Sequence, residues 1–187
     1  MSGLKRLLKR IESTEALDRP AGVLAELLPA TLRTHPVIDA LRGRWLGHPV
    51  HPAVVLLPIS MYTASAVLDL VPGEGRTARA LIGLGLLTTP PAVATGLAEY
   101  TTLDQRQRRT ALVHLATNAL ASSCYLTSFR LRGDGYQVVG RAVAVVGLGL
   151  VGVSGLLGGH LSYAQGAGVR REPVGVPVSR GGGVRGA

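Results

Sequence analysis

Residues 45–71 read WLGHPVHPAVVLLPISMYTASAVLDLV. The part from 53 to 71 carries no charge before Asp69 and is close to the roughly 20 apolar residues that cross a hydrocarbon core of about 30 Å. Three later stretches share that character, at 78–100, 110–129 and 138–163. Turn signals separate them, with Pro72-Gly73-Glu74-Gly75 after the first. Four apolar blocks of this length predict an all-α integral membrane protein, a four-helix bundle occupying residues 35–165.

The flanks fit that frame. Leu4, Leu7, Leu8 and Ile11 recur at helical spacing with Lys5, Arg6, Lys9 and Arg10 between them, which predicts a basic amphipathic helix ending at Pro20. A second short stretch, Val23, Leu24, Leu27 and Leu28, completes an amphipathic N-terminal region over residues 1–34. His35 to Leu41 suggests one or two surface turns. The Gly- and Arg-rich tail, 166–187, has no periodicity and is expected to be disordered. The first twenty residues lack the continuous apolar core of a cleavable signal peptide.

Charge supplies the orientation. The chain has 187 residues, 47% hydrophobic and 17% charged, and a formal net charge of +9. Only 4% of residues are aromatic and the cations flank the apolar blocks, so no nucleic-acid partner is expected. Fifteen of the 20 Lys and Arg fall on the side that holds the N-terminus. The positive-inside bias therefore places both termini in the cytoplasm, with the chain in the bacterial inner membrane and the lipid bilayer as its surroundings. Cys124 is the single cysteine, which excludes an intrachain disulfide and a cysteine-ligated iron–sulfur cluster on this chain.

Within the blocks, Pro90-Pro91 should kink or locally unwind the second span. His114, Asn118, Ser122 and Tyr125 line one face of the third, which should point inward. In the fourth, Gly155 and Gly159 stand in GxxxG register for close helix approach. Asp69 reads as a solvated carboxylate at a helix end.

Alternating spans return four of the five histidines to one face: His48 and His51 at the start of span one, His114 early in span three, His160 at the end of span four. Glu99 ends span two on that face. Pro49 and Pro52 should hold the preceding histidines extended, with Pro52 at the first helical position. Three uses suit such a set. The imidazoles could cap and cross-link helices. His114 with His160, His48 or His51 could ligate haem b. The four imidazoles with Glu99 could hold a divalent metal ion. No arrangement for stand-alone catalysis is evident: Ser60, Ser154 and Ser162 lack a histidine–carboxylate relay.

WLGHPVHP, Pro58-Ile59, Leu68-Asp69-Leu70, ATGLAEY at 94–100, Val113-His114 and GLLGGHLSY at 155–163 together resemble the domain-of-unknown-function 2231 family of bacterial multi-pass membrane proteins. The resemblance covers about residues 35–169. It implies a four-span membrane domain in which His48, His51, His114 and His160 are the matching residues. Actinobacterial members that resemble this chain most carry a Rieske domain after the GGHL element, whereas residues 170–187 here contain no cysteine or histidine. The resemblance thus implies a redox-associated membrane subunit with a separate redox partner, such as a Rieske-type protein. A non-catalytic membrane anchor or assembly protein with structural histidines is the alternative.

Overall fold

A computed structural model describes residues 3–28 and 36–168. Every regular element among them is helical: α1 (Gly3–Ser13), α2 (Asp18–Leu27), α3 (Pro36–Leu41), α4 (His51–Val54), α5 (Leu56–Leu68), α6 (Gly75–Tyr100), α7 (Gln105–Gly133) and α8 (Gln137–Gly159). A single π-helical turn, His160–Ala164, closes α8. His35 and residues 169–187, most of the expected disordered tail, lie outside the described residues.

Among the described residues three segments are long and apolar enough to cross a membrane: His51–Leu68, Gly75–Tyr100 and Gln137–Ala164, with mean hydropathies of 1.4, 1.5 and 2.0. Helix α7, at 29 residues, is longer than any of them but less apolar. Its polar stripe lowers its mean without adding a charge between Arg109 and Arg130.

Local chemistry explains the breaks. Pro58 has no N–H for the carbonyl of Val54, and the helix divides at Val55, between α4 and α5. Helix α6, by contrast, runs unbroken through Pro90 and Pro91, so the expected unwinding does not occur. The prolines free the carbonyls of Leu86 and Leu87, while the hydroxyls of Thr88 and Thr89 bond back to those of Leu84 and Gly85. Pro20 does not end the first helix. That helix stops at Ser13, and Pro20 sits in the first turn of α2, where a missing N–H costs no intrahelical bond. Helix α7 starts on a capping box: Asp104 accepts from the Gln107 N–H at 2.8 Å, and Gln107 Oε1 accepts from the Asp104 N–H at 3.0 Å.

Helix α5 packs on α6, α6 on α7, α7 on α8, and α8 returns to α5. The rings of Tyr62 and Tyr125 stack at the centre, centroids 3.7 Å apart, beside Ile82 and Ala144. Small residues let the helices approach: a Cβ on Gly85 would lie 2.4 Å from the Tyr62 ring, and one on Gly147 would lie 3.2 Å from Tyr125. The buried face of α8 carries Gly140, Gly147 and Ser154 at seven-residue spacing. At Gly155 and Gly159, expected at a helix contact, a Cβ would instead meet no other helix within 4 Å, because they lie away from the buried face.

Side chains are distributed as in a protein solvated by lipid. Leu87, Val138, Val145 and Leu156 point outward, while Ser65, Thr95, Ser128, Arg132 and Ser154 are buried. In water that arrangement would forfeit the hydrophobic driving force. In a bilayer it satisfies polar groups against each other and leaves large apolar side chains to the lipid.

At the end carrying the α5–α6 and α7–α8 turns, Arg132 makes two 2.6 Å bonds to Asp69, and its side chain is 0% exposed. Arg132 Nε also donates to Ser128, whose hydroxyl donates to the Gly140 carbonyl. Asp69 is therefore not the solvated carboxylate expected from its place at a helix end. Arg132 comes from a helix more than sixty positions away in sequence, a contact only the packing supplies.

Candidate functional site

His51 is the first residue of α4, with Val50 as N-cap and Pro52 second. It is helical rather than extended as expected; Pro52 is tolerated behind it because the N–H groups of a helix's first turn have no intrahelical partner. Its Nδ1 lies 3.0 Å from the Ala92 carbonyl and 3.1 Å from Thr95 Oγ1 on α6. A carbonyl only accepts, so Nδ1 carries the proton and the Nε2 lone pair stays available. The ring rests on Gly96, where a Cβ would come within 2.9 Å of Cε1.

His114, on α7, repeats that environment with α8. Its Nδ1 is 2.9 Å from the Ser154 carbonyl and 2.9 Å from Ser154 Oγ. Its ring rests on Gly158, where a Cβ would come within 3.1 Å of Cε1. In both cases the accepting carbonyl stands four residues before the glycine under the ring, Ala92 before Gly96 and Ser154 before Gly158. That spacing is one helical turn, so each imidazole covers one turn of its neighbour. The sites differ at Nε2. Asn118 Nδ2 donates to His114 Nε2 at 3.1 Å.

His160 turns away from this pair. It opens the π turn and places Nε2 2.5 Å from Glu12 Oε1. Glu12, the lone acid of α1, is 6% exposed and gathers Gln165 Nε2 at 2.9 Å and Arg106 Nε at 2.9 Å, with Arg106 Nη2 also bonded. Burial alone would raise its pKa, but the bonds from Gln165, His160 and Arg106 outweigh it and hold the carboxyl below its ordinary value. Beside it Arg109 binds Asp18 at 2.5 and 2.7 Å and the Glu12 carbonyl at 2.8 Å. The Arg109 bond keeps the Asp18 carboxyl low. Tyr100 adds a hydroxyl bond to the Ala21 carbonyl.

His48 is exposed and bonds the Pro49 carbonyl at 3.2 Å. Its own carbonyl approaches Gly43, which has φ +69°; a Cβ there would lie 2.3 Å from that oxygen. Glu99 lies beside Gly168, near Pro49. Among the described residues no three His, Cys, Asp or Glu side chains come together in a group able to hold a metal ion. His48, His51, His114, His160 and Glu99 do not form one cluster. His51 and His114 are turned inward, His160 toward α1, and His48 toward solvent.

Glu12, Thr95 and the Asp69–Arg132 pair escaped the sequence reading, and Ser154, read there as remote from any histidine relay, bonds His114. One signal for Glu12 was available: it is a single acid in a helix whose other charges are all basic.

No curated protein and no solved structure matches the chain. A family model described as "Predicted membrane protein (DUF2231)" matches residues 47–171, a span that contains His48, His51, His114 and His160 and leaves α1, α2 and Glu12 outside. With that match over more than half its length, and with helices of membrane-crossing length inside it, the chain belongs to the DUF2231 family of predicted membrane proteins.

Proposed function

We propose that the protein is a four-span membrane subunit of the bacterial inner membrane, redox-associated, with His51 and His114 as a pair of haem ligands. The observation that carries this reading is the matched tautomer of the two interior imidazoles. Each donates Nδ1–H to a main-chain carbonyl of a neighbouring helix, the kind of bond that orients a ligating histidine and makes Nε2 more basic. Helix α7 serves as the fourth span: its polar stripe is used internally, by His114 toward Ser154 and by Tyr125 toward Tyr62. The positive-inside bias supports cytoplasmic termini.

The donor set favours haem over a bare metal ion. A protein-held zinc takes three or four side-chain ligands, whereas haem iron takes one or two axial histidines. Two imidazoles are what the interior offers. Haem held there would supply one-electron transfer. The chain's own part is positional. Ala92 and Ser154 fix the ring planes, Gly96 and Gly158 keep the neighbouring helix surfaces flat, and Asn118 yields its bond to His114 Nε2 on ligation.

A second reading, a non-catalytic anchor or assembly protein, is favoured by one observation: Asn118 already satisfies His114 Nε2. Spectra of the protein purified in mild detergent, oxidised and then reduced, separate the two. The haem reading expects a Soret band that His114→Ala removes while far-ultraviolet circular dichroism stays helical. Absence of any Soret band after haem supplementation would sink it in favour of the anchor.

A further inference from the structure

Helix α1 is held to the end of the helix bundle by Glu12, and this places one row of its cations opposite α7. An open groove of about 570 Å³ lies there, lined by Arg6, Lys9, Arg10, Glu12, Ser13 and Arg106. Arg6, Lys9 and Arg10 stand at i, i+3 and i+4 on one helix face and form no ion pair among the described residues. Arg106 enters from the other wall; it shares Glu12, yet its side chain is 62% exposed. Four cations against one carboxylate that is already bonded to His160 and Gln165 leave the groove strongly positive.

Leu4 and Leu7, 47% and 56% exposed, lie on the same helix. A docked soluble helix would bury such leucines, and here the contacts to the bundle are instead made through Glu12. A cationic groove on one face of α1 and exposed leucines on another, at the ends of the membrane-length helices α7 and α8, match one kind of occupant. We infer that this groove binds the phosphate-bearing headgroup of an anionic lipid in the leaflet at that face, while the other face of α1, with Leu4 and Leu7, meets the apolar part of the leaflet. The inference rests on the membrane reading of the helices and is independent of His51 and His114.

Native mass spectrometry of the full chain released from mixed micelles of phosphatidylglycerol and phosphatidylcholine tests it. The wild type is expected to retain phosphatidylglycerol selectively, and millimolar inorganic phosphate should leave that retention unchanged. K9Q/R10Q should weaken retention by about fivefold per charge removed, roughly thirtyfold for the pair. R19Q/R42Q removes the same charge outside the groove and should leave it within about twofold. Equal losses from the two double variants, retention without headgroup preference, or displacement by inorganic phosphate would each overturn the groove as a lipid site. The last outcome would assign it to a soluble phosphate instead.

Discussion

The two ends of the helix bundle each hold a carboxylate against arginine, and they use it differently. At one end Asp69, the cap of α5, meets Arg132 of α7, and the arginine is sealed from solvent. At the other, Glu12 and Asp18 reach in from α1 and α2 to Arg106, Arg109, His160 and Gln165. The first ion pair is internal to the packed helices. The second attaches an N-terminal arm to them, assisted by a small apolar cluster of Ala25, Tyr100, Leu103, Ala111 and Leu161. Burial of a charge raises the cost of losing its partner, so the same chemistry should fail globally at one end and locally at the other.

Replacing Asp69 by Ala gives the largest expected effect. It strands a buried guanidinium, and loss of one partner of a buried pair costs about 3–5 kcal/mol. Unfolding by a denaturing detergent should shift the midpoint of the whole protein, and a loss below about 1 kcal/mol would show that water reaches Arg132. Glu12→Gln should cost less, about 1–3 kcal/mol, and only in the arm. Hydrogen exchange should speed up in α1 and α2 while α6 to α8 stay protected. Uniform acceleration would mean that the arm and the packed helices unfold together.

Acid supplies the gentlest version of the same contrast. The folded pKa of Glu12 is lowered, so its stabilisation is complete above the ordinary glutamate value of about 4.5 and is lost as pH falls through the depressed folded value. Asp18, also depressed, adds its loss in the same direction. Limited proteolysis at decreasing pH should therefore open α1 and α2 first, and reversibly. An arm that stays protected at a pH below both carboxyl values would show that the apolar cluster alone holds it.

Much of the fold was legible because lipid imposes a simple rule. Backbone polar groups must be satisfied within the segment, and a long uncharged stretch such as residues 138–163 has one solution, a helix. Boundaries near prolines were less legible. Whether Pro20 ends a helix or begins one depends on which N–H groups lack partners, and that changes with the neighbouring turn. The site was half legible. Topology could bring His48, His51, His114 and His160 to one face, but a face has no angular coordinate. Rotation about each helix axis decided that His51 and His114 look inward and that His160 meets Glu12.

By itself the sequence determined that the chain is helical and rich in segments of membrane-crossing length; it led to an expectation of four spans, and three of the described helices have both the length and the hydropathy for one. Hydropathy and charge act locally, so they can be read along a line. Only the tertiary structure decided the pairings of Asp69 with Arg132 and of Glu12 with His160, and the inward face of α8. Those depend on contacts between residues far apart in sequence, where the azimuth of each helix and the glycines that admit its neighbour set which polar groups meet.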